Sequence, residues 1–585
     1  MAHPGLPNDV DIIFAGGGTA ACVAAARLAK ANPEFSILVL EGGANNFQDP
    51  TVLTPALFLT HFQPGSPTML TYTSTPSEIL NNRSLPVYGG GILGGGSSIN
   101  FMVYVRAQGL DFDNWKSPGW SAQDLLPLCK KIETFHQSGD VIDPAKHGSD
   151  GPVQVSDGGF RSQSEGEFMS AIRQLGYEEV EDLMDLEQVH GFTRLQRYVS
   201  PEGVRQDAAH CYLHPLLQDG RHPKLRVLLH SKVERVIFDE LQSPPRAVGV
   251  EFYQSDNHIP APSACQKNLL SVRARKCVII AAGALSTPQI LERSGVGNPH
   301  ILESLGIKTI SSLPGVGENY IDHQLLPVSY RAHMDETDTM DKPFPGWNGV
   351  DIGAKLQMSD EEARSLGTDF HASWLQDYHP YSKPVFFCLM LNTCLAVLPQ
   401  GIPGRPFTMC MYLAYPFSRG SIHIDSSTDG YRLRNGFLAH PSDVKMHIWS
   451  YKLSREIARR MPNFMGEIES LHPRFPESNA ARIVTSPVAA VHGSIEYSDE
   501  DDRLIEQWVR DNIISGSHLM GTAAMGPVEG GGVVDERLNV HGTSGLKVGD
   551  LSIAPTNVGA NTYHTALLIG EKVALIVAEE LGLSV

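Results

Sequence analysis

The chain has 585 residues, of which 65 are acidic and 46 basic, and its formal charge is −19. Nucleic-acid binding draws on clustered Lys and Arg, and an anionic membrane surface would repel this charge, so we expect neither partner. No apolar run reaches the length of a membrane-spanning helix, and a hydrophobic content of 42% predicts a large core. Glycine accounts for 55 of the 585 residues, a share above the roughly 7% of an average protein, which indicates a structural role for some of these glycines.

The chain ends and the cysteines bear on the cellular compartment. The N-terminus lacks the basic and apolar regions of a secretory signal peptide. The C-terminal sequence GLSV carries no peroxisomal tripeptide of the S-K-L type. Eight cysteines without a CxxC pair or a zinc-type spacing predict free buried thiols and no metal site. We therefore expect an intracellular protein, cytosolic or peroxisomal.

The first forty residues predict a dinucleotide-binding unit. An apolar strand over 10–15 leads into the run GGGTAA (16–21), a helix follows, and a second strand ends at Glu41. Gly16 and Gly18 would let the backbone approach a pyrophosphate, and the helix N-terminus would offer free N–H groups. Glu41 would accept hydrogen bonds from the adenosine ribose, which disfavours NADP. The motif alone leaves FAD and NAD open.

Later segments extend this pattern. Residues 88–100 (YGGGILGGGSSIN) hold six glycines among apolar residues, which indicates a backbone surface that packs against a ligand. Residues 330–410 are rich in Pro, Tyr and Trp and are expected to form an irregular cap or insertion. The remaining predicted elements are strands in 224–239, 247–253 and 276–282, a short helix ending near residue 295, a helix over 499–512, and strand, turn and long helix over 546–581.

A family resemblance resolves the cofactor. It rests on the blocks GGGSSIN (94–100), GALSTPQILERSGVG (283–297), LPGVGEN (313–319) followed by Asp322-His323, GSHLMGT (516–522), VGDLS (548–552) and NVGANTY (557–563). In these blocks the chain resembles the glucose–methanol–choline (GMC) flavin oxidoreductases, above all their fungal and yeast alcohol (methanol) oxidases. The resemblance runs from residue 10 to residue 582 and implies FAD.

The resemblance also implies the fold. We expect an α/β protein (α+β overall) with a Rossmann-type FAD-binding domain and a substrate-binding domain built on a large antiparallel sheet. The FAD-binding domain would comprise residues 1–160, 225–320 and 515–585. The substrate-binding domain would comprise residues 161–224 and 321–514.

The implied reaction is oxidation of a primary alcohol to an aldehyde, with hydride transfer to flavin N5 and reduction of O₂ to H₂O₂. His518 is the expected base, because a histidine titrates near working pH. Asn561 is expected to hold the substrate oxygen, although an asparagine there could also cap the last helix. A protonated His518 beside reduced flavin would favour electron transfer to O₂. His564 is expected to pack, and His323 to support the flavin domain.

The resemblance assigns contact residues to both ligands. The residues expected to bind FAD are Gly16, Gly18, Thr19, Ala20, Glu41, Gly95, Ser98, Asn100, Phe101, Val233, Gly283, Asp550, Leu551, Asn561 and Thr562. The substrate pocket is expected to include Phe101, Val103 and Ser517. Ser517 stands where the methanol oxidases carry tryptophan, and Val103 where they carry methionine. Both replacements enlarge the pocket and predict a primary alcohol larger than methanol.

Several alternatives stay open at this stage. A GMC dehydrogenase would use an acceptor other than oxygen, and some family members are lyases or photochemical decarboxylases. A choline-like oxidase would need an acidic or aromatic cage for its cation, and an aryl-alcohol oxidase would need a wider pocket. A non-catalytic flavoprotein would not need His518 and Asn561 together. The expected partners are a small alcohol and O₂, and the sequence is compatible with a homo-oligomer.

Overall fold

The computed structural model describes residues 8–136, 143, 145–254, 268–381, 383–396, 398, 403–426, 430–488 and 493–584. Residues 1–7 and Val585, on which the compartment prediction draws, lie outside these ranges. Among the helices within them, none has the length and apolar character that crossing a bilayer requires.

Strands and helices occur along the whole described chain, and in two long runs, over 225–280 and 386–434, the described elements are strands only. The strands are β1 (Asp9–Ala15), β2 (Ile37–Leu40), β3 (Met69–Thr73), β4 (Pro86–Gly90), β5 (Glu133–Phe135), β6 (Val153–Val155), β7 (Gly191–Arg194), β8 (Leu225–Leu228), β9 (Ser231–Asp239), β10 (Arg246–Gln254), β11 (Leu270–Ile280), β12 (Val296–Gly297), β13 (Ser311–Ser312), β14 (Gln324–Ala332), β15 (Val350–Leu356), β16 (Phe386–Leu391), β17 (Arg405–Leu413), β18 (Ser421–Ile424), β19 (Tyr431–Arg434), β20 (Phe464–Glu467), β21 (Ile514–Ser515) and β22 (Leu546–Val548). The helices are α1 (Thr19–Ala31), α2 (Pro50–Leu53), α3 (Gly109–Asp113), α4 (Ala122–Ile132), α5 (Ser164–Gln174), α6 (His214–Gln218), α7 (Gly283–Arg293), α8 (Pro299–Ser304), α9 (Asp360–Ser365), α10 (Thr368–Asp377), α11 (Pro441–Arg460), α12 (Asp499–Asn512) and α13 (Tyr563–Glu580).

The first sheet carries the predicted dinucleotide unit. Its strand order is β8-β2-β1-β11-β10-β9, with β22 beside β11. The pairs around β1 and β2 and the β11–β22 pair are parallel, while β9, β10 and β11 pair antiparallel. Because helices cover both faces of such a sheet, β1 is apolar throughout its buried part. The predicted Rossmann-type fold is confirmed.

Small residues bring the helices close to this sheet. Helix α1 packs against α13, and a Cβ atom added at Gly570 would lie 2.7 Å from the Ala20 carbonyl oxygen. Six of the seven alanines of α1 are buried with at most 4% exposure, and Ala31 at its end is half-buried. Close helix packing therefore places the first turn of α1 against Gly570 of α13.

The second sheet is antiparallel and has the order β20-β14-β17-β16-β15-β7, with β21 beside β14. Helix α11 packs against β14, β17 and β20. The large antiparallel sheet is therefore confirmed. The boundaries given above for the two domains stay a prediction, since strand pairing does not locate a domain boundary.

The interpretation of residues 330–410 as an irregular cap is wrong. This segment supplies the end of β14, all of β15 and β16, and most of β17. The residues of β15 and β16 are buried on both faces. A strand that is covered on both sides lacks the alternation of polar and apolar residues by which an exposed strand is recognised.

We expect the second sheet to depend on one buried ion pair. Arg455 of α11 and Glu467 of β20 are joined by a 2.7 Å contact, and both side chains are 0% exposed. Glu467→Met leaves the guanidinium buried without this partner and should lower the free energy of unfolding by about 3–5 kcal/mol in a urea titration. Glu500→Gln, at an exposed pair with Arg503, should change it by less than about 0.5 kcal/mol. Equal urea midpoints for the two variants would contradict this expectation.

Candidate active site

One cavity of about 1190 Å³ connects the two sheets. It begins at the carboxyl end of β1 and extends to Leu325, Leu389 and Tyr412 of the second sheet. All the residues predicted to bind FAD line it, with the exception of Ser98, and so do Val103, Ser517 and His518. The structure thus places residues from widely separated segments around one space.

Ser98 does not line this cavity. It is fully buried, and its hydroxyl donates to the Leu93 carbonyl at 2.7 Å and accepts from Asn46 Nδ2 at 3.0 Å. Because the Ser98 hydroxyl both donates and accepts a hydrogen bond within the protein, it stabilises the glycine-rich turn. The sequence motif does not distinguish such a bracing serine from its neighbours that face the ligand.

The first glycine turn leaves room for a ligand beside bare backbone. Gly16 has φ +111°, and a Cβ atom there would lie 2.4 Å from the Ala281 carbonyl oxygen. Helix α1 follows with Gly18 as its N-cap residue, and no described side chain caps it. Its first N–H groups are therefore available to an anionic group such as a pyrophosphate.

The second glycine segment packs directly on the first. The Gly94 N–H donates to the Gly17 carbonyl at 2.9 Å, and Thr19 Oγ1 donates to the Gly94 carbonyl at 3.2 Å. A Cβ atom on Gly95 would lie 2.9 Å from the Gly18 Cα atom. Two glycine-rich backbones in contact form the floor of the cavity.

The Glu41 carboxylate lies at the end of β2 and is held by backbone. Its Oε2 accepts from the Gly17 N–H at 2.8 Å, and its Oε1 accepts from the Gly43 N–H at 2.7 Å. Burial raises the pKa of Glu41, and the two backbone donors oppose that rise. Each oxygen keeps a further lone pair for the ribose hydroxyls that the sequence assigns to it.

Asp550 organises the part of the cavity floor at the start of α7. Its Oδ2 accepts from the Gly283 N–H at 2.9 Å and from Thr287 Oγ1 at 2.6 Å. Helix α13 starts just beyond, with Thr562 as N-cap residue and no capping bond from a described side chain. A second helix N-terminus therefore faces this space.

FAD fits these features. The cavity combines two uncapped helix N-termini, a floor of backbone groups and the Glu41 carboxylate. This combination matches an elongated dinucleotide. Asn561 Oδ1 is buried and has no hydrogen-bond partner among the described residues, so a donor from a ligand would complete its hydrogen bonding.

His518 is the centre of a hydrogen-bonded group. Its Nδ1 lies 2.9 Å from His323 Nδ1, and its Nε2 lies 2.9 Å from Asn561 Nδ2. Its backbone N–H donates to Asp322 Oδ1 at 2.9 Å. Asn561 therefore uses its amide on His518, and the N-cap position of α13 belongs to Thr562.

Burial controls the charge of this histidine. It lowers the pKa of His518 well below the usual range, and the neighbouring His323 lowers it further. At neutral pH the imidazole is neutral and keeps one ring nitrogen with a free lone pair. A neutral, oriented imidazole can accept the proton of a hydroxyl group.

His323 precedes β14 of the second sheet, and its ring contacts the His518 ring and the Val558 carbonyl, both in the predicted FAD-binding segment 515–585. The supporting role expected for His323 stays a prediction, and its direct contact with His518 was not part of it. His564, by contrast, does not line the cavity. It is buried in α13, and neither ring nitrogen has a partner among the described residues, so the packing role expected for it agrees with its position.

An apolar wall faces His518. Phe101 is backed by Phe58 and Phe62, whose ring centroids lie 4.3 and 5.5 Å from its own. Leu325 pairs with Tyr412 across β14 and β17, and the Tyr412 ring lies 5.4 Å from that of His518. Leu325 and Tyr412 were not predicted to line the pocket, because their strands are apolar on both faces.

Comparisons with known proteins agree with this geometry. Family models described as GMC oxidoreductase match residues 10–325 and 416–570. An alcohol oxidase of Candida boidinii is 35% identical, with 99% of this chain and 96% of the relative covered. A formate oxidase structure from Aspergillus oryzae superposes with a TM-score of 0.81 at 22% identity, covering 98% and 99% of the two chains. A fungal aryl-alcohol oxidase superposes with 0.78 at 23% identity, covering 99% and 100%.

We expect FAD retention to depend on the contact between the two glycine segments. Gly95→Ala places a methyl group 2.9 Å from Gly18 Cα and should separate the two backbones, so the purified protein should lose most of its visible flavin absorbance. Gly166→Ala is the matched control, because its added Cβ meets no atom within 4 Å. Full flavin content in the Gly95→Ala variant would refute the proposed floor.

Proposed function

The chain belongs to the GMC oxidoreductase family, and we propose that it oxidises neutral primary alcohols larger than methanol to aldehydes. It is an FAD-dependent alcohol oxidase that uses O₂. The observation that carries the proposal is the neutral His518 imidazole, held 2.9 Å from the Asn561 amide and facing an apolar wall.

His518 and Asn561 would have different roles toward the substrate hydroxyl group. In the free enzyme the Asn561 amide donates to His518 Nε2. An alcohol hydroxyl placed between them would donate its hydrogen to Nε2 and accept from the amide. His518 would then take the proton as the carbinol carbon loses a hydride, and Asn561 would stabilise the developing negative charge on oxygen.

The residues of the cavity floor would hold the cofactor. The start of α1, with Gly16 and Gly18, would bind the pyrophosphate of FAD. Glu41 would bind the ribose, and Asp550 with Thr562 would bind the flavin end of the molecule. FAD held there would supply the hydride acceptor for the carbinol carbon and would pass the electrons to O₂, giving H₂O₂. A His518 that has taken the substrate proton would place a positive charge beside the reduced cofactor, which would favour this electron transfer.

The shape and charge of the wall support the substrate class. Leu325, Leu389 and Tyr412 come from one face of the second sheet, and Phe62 and Phe101 stand across from them. These side chains are uncharged and would bury the carbon chain of an alcohol. Three of these five side chains are aromatic and could contact a cation, but none is a carboxylate that would pair with it, so we propose a neutral aliphatic or aryl alcohol in preference to the cationic alcohol of a choline-like oxidase.

A reduced compartment is consistent with the thiols. Seven of the eight cysteines are described, and none of these seven forms a disulfide. Burial raises the pKa of Cys410 to about 12 and that of Cys129 to about 12, so these thiols are protonated and unreactive. We therefore propose that the enzyme acts inside the cell.

The base function of His518 is tested by anaerobic reduction of the flavin. With butanol, the wild-type holoenzyme should bleach, and on admission of air it should release one H₂O₂ per alcohol. His518→Asn removes the proton acceptor and should slow bleaching by about 10²–10⁴-fold, whereas the exposed His300→Asn should match wild type. Bleaching without peroxide would instead identify a dehydrogenase, and an unaffected His518→Asn variant would exclude this base.

The proposed pocket size is tested at Ser517. This residue lines the cavity in a left-handed conformation with φ +58°. Ser517→Trp should lower kcat/KM for pentanol and benzyl alcohol at least about tenfold relative to methanol, because the indole fills the space that longer chains need. Ser517→Asn, which tolerates this backbone conformation, should leave the chain-length profile unchanged. A uniform loss across all alcohols would argue against the pocket.

A further inference from the structure

The structure assigns to His323 the role of a positioning residue that holds His518 in a single tautomer, with Nδ1 protonated and Nε2 free to take the substrate proton. This inference deepens the proposed function and rests on it for its catalytic meaning. The tautomer itself is a property of the resting protein and can be measured without turnover.

A backbone carbonyl determines which ring nitrogen of His323 carries the hydrogen. His323 Nε2 lies 2.8 Å from the Val558 carbonyl oxygen, and a carbonyl oxygen can only accept a hydrogen bond. Nε2 must therefore carry the hydrogen. The Asn557 amide nitrogen also lies 3.1 Å from this atom and uses one of its two hydrogens on the Ala414 carbonyl. The shorter contact decides the tautomer, because an Nε2 without hydrogen would set its lone pair against that of the Val558 carbonyl at 2.8 Å.

The position of the hydrogen on His323 determines its position on His518. Burial lowers the pKa of His323 to about 4, so at neutral pH the ring has one hydrogen, and with Nε2 protonated its Nδ1 is an acceptor. His518 Nδ1, 2.9 Å away, must donate to it. His518 Nε2 consequently holds a lone pair, which agrees with the Asn561 amide nitrogen 2.9 Å from it.

The protein backbone fixes the two rings against each other. The Gly516 N–H donates to the His323 carbonyl at 2.9 Å, and Gln324 pairs with Ser515 where β21 joins β14. A Cβ atom at Gly516 would lie 2.7 Å from the same carbonyl oxygen, so the approach is close. His323 also packs edge-on against Phe387, with centroids 5.2 Å apart.

Asp322 secures the other side of His518. Its carboxylate accepts from the His518 backbone N–H and from the Ser515 hydroxyl. The backbone of the catalytic loop is thereby held independently of the ring contact. Loss of the ring contact should change the orientation and tautomer of the imidazole while the loop keeps its place.

A matched pair of substitutions separates the acceptor from the volume. In His323→Asn, the side-chain Oδ1 can take the place of Nδ1 as acceptor. In His323→Leu, a side chain of nearly the same size offers no acceptor, and both variants equally lack the bond to Val558. If the Leu variant fails to retain FAD, His323→Met takes its place.

The first measurement is anaerobic flavin bleaching by saturating butanol. His323→Leu should slow bleaching by at least about 10²-fold, and His323→Asn should retain a bleaching rate within about tenfold of wild type. The KM for butanol, measured in aerobic turnover, should stay within about threefold of wild type in both variants. Equal loss in the two variants, or a Leu variant as fast as wild type, would overturn the positioning role.

The second measurement reads the tautomer directly. In ¹⁵N-histidine-labelled wild-type holoenzyme, the signal that disappears in His518→Asn should show a protonated Nδ1 and an unprotonated Nε2 at neutral pH. The reversed pattern would overturn the inference even if the enzyme oxidises alcohols. The expected pattern in a protein that no alcohol bleaches would retain the inference about the histidines and reject the proposed function.

Discussion

The close contact of two glycine-rich backbones is the constraint on which the cavity depends. The turn after β1 and the segment before Asn100 meet with a Gly94–Gly17 hydrogen bond, and a Cβ atom at Gly95 would lie 2.9 Å from Gly18 Cα. Because side chains are excluded, peptide groups and two helix N-termini supply the polar surface. The 55 glycines of the chain have, in part, this physical explanation.

A second constraint acts at the reacting end. His518 is useful only if its imidazole is neutral and oriented: burial between the two sheets keeps it neutral, and its hydrogen bonds orient it. The same burial that lowers the pKa of the histidine leaves its neighbours to decide which nitrogen carries the hydrogen. His323 and Asn561 approach from opposite ring edges, so the base is specified by hydrogen bonding in a low-dielectric site.

Local spacing made part of this site predictable. The glycine turn and Glu41 lie within 26 residues of each other in one strand–helix–strand unit, and their geometry follows from that unit. His518 and Asn561 followed from motif resemblance. The contact of His323 with His518 joins positions far apart in sequence through the pairing of β14 with β21. No periodicity in either segment encodes that pairing, so the direct contact between the two histidines could not be predicted from the sequence.

The strands of the second sheet were unpredictable for a different reason. Residues of β16 and β17 pack on both faces, so Leu389 and Tyr412 cannot be told apart from neighbours that point to the opposite side. Whether a residue reaches the substrate depends on strand register, and a shift of one residue would exchange the two faces. The same ambiguity made residues 330–410 look irregular.

The strand order of the first sheet has a consequence for biosynthesis. β1 pairs with β11, and β11 in turn pairs with β22, which begins at Leu546. A ribosome that has made the glycine turn must still synthesise more than five hundred residues before the last strand and α13 can join it. The nascent chain therefore carries an incomplete parallel sheet with an exposed apolar edge for most of its synthesis. Because Asp550, Asn561 and Thr562 of the cavity are made last, the complete cavity cannot form until synthesis is nearly finished.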